Sequence, residues 1–156
     1  MKLFTDGSVN PQLKVGYGAY LFVTNESVLL ESTIRTKRFE QTSSTKLELQ
    51  TLLWALDDLL ALDYLGYKVM IYTDSQNIIC LPRRREGFEK SDYMTKANKR
   101  IGNHELYKEF YRVTDMLECE FVKVKGHKKS HQKDEVDRIF TLVDRASRTA
   151  LREGEC

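Results

Sequence analysis

The sequence predicts an α/β fold of mixed α+β type. Its expected frame is a five-stranded mixed sheet in the order β-β-β-α-β-α-β-α, with helices on both faces. Two observations predict it. Three strand-like runs open the chain without an intervening helical period, which suggests an antiparallel meander. Helical periods then alternate with strands, which suggests parallel crossovers. All 156 residues fit one domain, a length that buries roughly two thirds of the unfolded surface.

The first strand is expected over Leu3–Asp6, a short run closed by a carboxylate. Gly16–Thr24 is aromatic and β-branched and reads as the second. Val28–Arg35 reads as the third, with Asn25-Glu26-Ser27 as the hairpin turn. A helix is expected from about Ser44: Ser43, Ser44 and Thr45 offer N-caps, and Leu49, Leu52, Leu53, Leu56, Leu59 and Leu60 keep helical spacing. Gly66 ends that region. Lys68–Thr73 is a fourth strand, again followed by a carboxylate, Asp74. Residues 83–100 are polar and carry no clear period, and an extra helix after Asp74 is compatible with them. His104–Leu117 places Leu106, Phe110, Val113 and Leu117 on one helical stripe. Glu120–Lys125 alternates as a fifth strand, and Glu135–Arg152 has the period of a final helix.

Composition is that of a soluble globular protein, with 41% hydrophobic and 31% charged residues. The net charge of +2 gives no whole-chain bias toward nucleic acid. Local charge says more: five lysines and no acid lie between Val122 and Lys133, and Arg83, Arg84 and Arg85 adjoin one another. Such patches steer polyanions, although a charge run is as readily plain solvated surface. Three scattered cysteines, with no Cys-x-x-Cys pair, argue against a disulfide framework and a zinc site. No leader-like segment opens the chain and no apolar run approaches a membrane span. A cytoplasmic monomer with no membrane partner is the expectation.

The carboxylates carry the chemistry. Asp6 and Asp74 close strands that share an edge if they are parallel neighbours, the edge where open α/β sheets place ligands. Glu48 continues the helical line of Leu52, Ala55 and Leu59. A carboxylate there is costly unless paired or metal-bound, although an acid near a helix N-terminus is also ordinary. The last helix offers Asp137 and Asp144, about 10 Å apart along its axis, of which one is expected to reach the other acids. Converging carboxylates without a histidine or cysteine set suit hard cations, Mg2+ or Mn2+. Two such ions can activate water against a phosphodiester.

These residues resemble the type 1 ribonuclease H family. Thr5-Asp6-Gly7-Ser8, Gly16-Tyr17-Gly18-Ala19, Leu47-Glu48-Leu49, Tyr72-Thr73-Asp74-Ser75-Gln76, Val124-Lys125-Gly126-His127 and Val143-Asp144-Arg145-Ala146 follow the family's order across nearly the whole chain. The resemblance implies a ribonuclease H-like fold. It also implies an endoribonuclease that cuts the RNA strand of RNA–DNA hybrids with two divalent ions, Mg2+ or alternatively Mn2+. Asp6, Glu48, Asp74 and Asp144 would be catalytic and metal-binding. His127 would assist beside the metal, where a lone loop histidine is otherwise a solvent-facing residue. Gly7, Ser8, Asn10, Ser44, Thr45 and Gln76 would lie along the hybrid, and Arg83, Arg84 and Arg85 would take phosphates.

The chain also departs from the family. Ser44-Thr45 replace the usual Asn, Val9–Val15 replaces a glycine-rich turn, and residues 83–100 contain no Trp. Lys133–Phe140 lengthens the segment between His127 and Asp144. Spacing from His127 therefore favours Asp137 as fourth acid, and local sequence favours Asp144, which is preferred. A junction resolvase or exonuclease of the wider superfamily, and a non-catalytic binding module, remain the alternative functions.

Overall fold

A computed structural model describes residues 1–24, 33–62, 68–125 and 134–154. Strands β1 (Lys2–Asn10) and β2 (Val15–Val23) form an antiparallel hairpin. Asn10 Oδ1 closes it by accepting from the backbone N–H groups of Gln12 (3.1 Å) and Leu13 (3.2 Å). β3 (Arg35–Glu40) pairs antiparallel with β2 at the sheet edge. Helix α1 (Ser44–Ala61) follows, capped by Ser43, whose hydroxyl accepts from Lys46 N–H. β4 (Lys68–Thr73) then pairs parallel with β1. Helices α2 (Gln76–Lys90) and α3 (His104–Met116) lead to β5 (Glu118–Lys123), parallel to β4, and α4 (Glu135–Gly154) completes the described chain. The five-stranded mixed sheet has the order β3-β2-β1-β4-β5.

The alternation along β1 decides which core each side chain enters. Leu3 faces α1, α2 and α3, among the fully buried Leu52, Leu56, Leu59, Val69, Ile71 and Ile78. Phe4 faces the opposite side, stacked on Tyr72 at 4.7 Å and packed with Ile139, Phe140 and Val143 of α4. The sheet is thus covered on both faces, with the β1–β4 seam as its centre. Gly18 of β2 lets α1 pack closely on the β1–β2 hairpin: a Cβ there would sit 2.1 Å from the Thr51 hydroxyl.

Three expectations need correction. The first strand does not close at Asp6 but runs to Asn10, because β2 pairs with it over its full length. The third strand lies at Arg35–Glu40 rather than Val28–Arg35; residues 28–32 and the Asn25-Glu26-Ser27 turn fall outside the described residues. The stretch after Asp74 is a regular helix to Lys90, so two helices, not one, join β4 to β5. Among the described residues no helix is long and apolar enough to cross a membrane.

Candidate active site

β1 and β4 are in parallel register from Lys2–Met70 to Phe4–Tyr72. Two residues further in that register, Asp6 stands level with Asp74. There β4 ends and the chain turns into α2. Thr73 Oγ1 accepts from Ser75 N–H at 3.1 Å, and Ser75 Oγ accepts from Ile78 N–H at 3.2 Å, which caps α2. Asp74 is thereby held exposed at the corner.

The other two acids come from opposite layers. Glu48 lies on α1, on the line of the fully buried Leu52, Ala55 and Leu59. Burial raises its proton affinity, and the Asp74 charge adds to this. A hydrogen bond from the Ser75 hydroxyl opposes them. Ser75, only 3% exposed, therefore serves the helix cap with its lone pair and Glu48 with its proton. Asp144 lies half-buried in α4 and is hydrogen-bonded to Asp6. Burial, that hydrogen bond and the nearby Asp74 and Asp144 charges hold the Asp6 carboxyl far above the usual carboxylate range; a backbone hydrogen bond at Gly7 opposes them. Arg148 Nε, one helical turn on, reaches Asp144 Oδ1 at 3.1 Å.

The geometry separates Asp137 from Asp144. Asp137 is 6% exposed, and its carboxylate accepts from Asp134 N–H at 3.2 Å while Asp134 Oδ1 accepts from Asp137 N–H at 2.9 Å. This reciprocal pair is a capping box for the first turn of α4. Of the two acids, Asp144 is the one that meets Asp6.

The remaining expected contacts divide by environment. Ser44, Thr45 and Gln76 are exposed at the starts of α1 and α2. Gln76 accepts a hydrogen bond from Lys123 and donates to Cys80 Sγ. Ser8 shares a 2.9 Å hydrogen bond with Ser147 of α4, and Asn10 closes the hairpin. A Cβ on Gly7 would meet the Leu47 side chain at 2.9 Å, so this glycine admits α1 to the sheet. Arg83 and Arg84 are exposed, whereas Arg85 forks onto Asp115 at 2.6 and 2.8 Å and also pairs with Glu89. His127 lies outside the described residues. Ser75 and Arg148 belong to the site but read in sequence as a helix cap and a surface i,i+4 partner.

Among the described residues, no three histidine, cysteine or acidic side chains already form a coordination cage. The donor set nevertheless fits a hard cation. It is carboxylate oxygen throughout, and its members are close enough for Asp6 to retain a proton in place of a positive ion.

A family model described as RNase H matches residues 1–144. The chain belongs to the RNase H family. The match covers all four acids. Solved structures share the fold at low identity. A foamy viral protease-reverse transcriptase in complex with RNA/DNA hybrid superposes with a TM-score of 0.74 at 10% identity, over 95% of this chain and 19% of that one. The native prototype foamy virus protease-reverse transcriptase gives 0.74 at 15%, over 95% and 20%. The foamy viral protein in complex with dsDNA gives 0.65 at 13%, over 95% and 94%. This RNase H chain thus spans about a fifth of the length of two of these neighbours. A search of curated proteins returns no match.

Proposed function

We propose that residues 1–156 form one catalytic domain, a cytoplasmic monomer, that hydrolyses the RNA strand of RNA–DNA hybrids internally. Two divalent cations, Mg2+ or alternatively Mn2+, would be held by Asp6, Glu48, Asp74 and Asp144. The observation that carries this reading is the convergence of those acids from β1, α1, the end of β4 and α4 on one edge of the sheet. The hybrid-bound foamy viral relative supports the choice of substrate.

When bound, the two ions supply a water of lowered pKa and neutralise the leaving oxygen of the phosphodiester. Asp6 would release its proton to solvent on taking up a cation. Glu48 would be held beside Asp74 by the Ser75 hydroxyl. Ser44, Thr45 and Gln76, exposed at two helix starts, face the groove and read 2′-hydroxyls through donor and acceptor groups. Arg83 and Arg84 contact phosphates of the hybrid. His127 holds or hands on a proton near neutrality.

Strand-labelled hybrid, duplex RNA and duplex DNA incubated with Mg2+ test the reading. Internal cuts confined to the RNA of the hybrid are expected, with none in EDTA. Asp74→Asn should lower the rate by at least about 100-fold, the scale of losing one preorganised electrostatic group, while hybrid binding persists. Cutting of the DNA strand, or full turnover in Asp74→Asn, would contradict it.

A further inference from the structure

Beside Asp144, the exposed face of α4 opens into a cleft of about 590 Å³ bordered by Arg145, Arg148 and Arg152. Of its three arginines, only Arg145 falls in a motif quoted from the sequence. The three arginines stand at i, i+3 and i+7, so they form one stripe rising from the acid, about 10 Å long at 1.5 Å per residue. All three are exposed. Arg148 is shared with Asp144, Arg152 donates to Thr149 at 3.3 Å, and Arg145 makes no ion pair among the described residues. Among the described residues, the acids bordering this face are Asp144 itself and Glu153, which lines the next cleft with Arg145. Cations therefore outnumber acids where a strand leaving the acid cluster along α4 would run.

Resting on the proposed nuclease reading, we infer that Arg145, Arg148 and Arg152 form a phosphate track for the RNA strand. It holds the backbone phosphates that flank the one being cut. Successive phosphates of a strand lie about 3.4 Å apart along a duplex axis, so a stripe of this length spans two or three of them. Guanidinium forks suit phosphate oxygens, and Arg148 can turn from Asp144 to a phosphate without leaving the site. The RNA strand is the one assigned because the stripe begins at an acid of the cutting site.

The test uses the full chain in an Asp74→Asn background, so that hybrid binds without being cut. Affinity for a labelled RNA–DNA hybrid is measured across a NaCl series with and without Arg145→Gln/Arg152→Gln. Both residues are exposed, and an unchanged melting curve verifies the fold. The slope of log K against log salt should fall by about two with the double substitution, one per lost phosphate contact. The difference should vanish on a hybrid whose RNA strand carries methylphosphonates around the cleavage site, and persist when the DNA strand carries them. An unchanged slope, or a difference that vanishes only with the modified DNA strand, overturns the track. Absence of Mg2+-dependent cleavage in the native protein would instead overturn the nuclease reading, so the two failures are told apart.

Discussion

Asp6 is set level with Asp74 across the seam, half-buried and hydrogen-bonded to Asp144. Its folded-state pKa is raised well above the ordinary aspartate value of 3.8. Above 3.8 the unfolded chain releases this proton, whereas the folded one must keep it or crowd like charges. The group's contribution is therefore fully favourable below 3.8 and is lost as pH rises through the folded value. Asp6→Asn should raise the metal-free melting temperature at pH 7 by several degrees, on the order of 2 kcal/mol, with little gain near pH 3. Thermal melts in EDTA at the two pH values check this, and a lower melting temperature at pH 7 would contradict it. Gly18→Ala should act oppositely. Its Cβ would meet the Thr51 hydroxyl at 2.1 Å, costing about 1–3 kcal/mol as a lower denaturant midpoint at unchanged slope. At this scale Glu48 and Asp74 were legible, because a carboxylate on an apolar helix line or just past a strand is an anomaly, whereas Asp6 was read as a strand end although β1 runs on to Asn10. Ser75 was not legible, because a serine ahead of a helix is already explained as a cap.

Helix α4 carries one acid that caps its own first turn and one that is proposed to hold a cation. Asp137 belongs to the capping box with Asp134, while Asp144, seven residues on, meets Asp6. Asp137→Ala should cost about 1 kcal/mol of stability and spare Mg2+-dependent cleavage. Asp144→Asn should spare the fold and remove cleavage. Paired melting and hybrid-cleavage assays separate the two, and the reverse pattern would exchange their roles. The elements that sequence patterning missed share a cause. In α2 only Ile78, Leu81 and Phe88 are buried, and Pro82 interrupts the pattern, so little helical period is visible. The helix is fixed from outside: Arg85 pairs with Asp115, and the Tyr111 hydroxyl donates to Leu81 O at 2.6 Å. β3 is an edge strand whose Arg35, Lys37, Arg38 and Glu40 are exposed, so alternation is lost and charge marks the edge instead. α1, α3, α4 and β4 each bury a continuous face, and their positions were legible to within a few residues.

Across the whole molecule, the acids tie together layers that the two cores otherwise hold apart. Glu48 comes from the α1 layer, Asp6 and Asp74 from the sheet, and Asp144 from the α4 layer. A cation held among them links both cores, so binding should stabilise the entire fold. At 100 times its dissociation constant, Mg2+ should add about 2.7 kcal/mol, visible as a higher melting temperature in the native chain and a much smaller rise in Asp6→Asn. Equal rises in both would place the ion elsewhere. The central claim is that these four acids hold divalent cations together. Anomalous diffraction from crystals soaked in Mn2+ tests it most directly. Manganese density is predicted between Asp6, Glu48, Asp74 and Asp144, with Asp144 turned from Arg148 toward the ion. Well-ordered crystals with those acids apart and manganese bound only elsewhere would contradict the account.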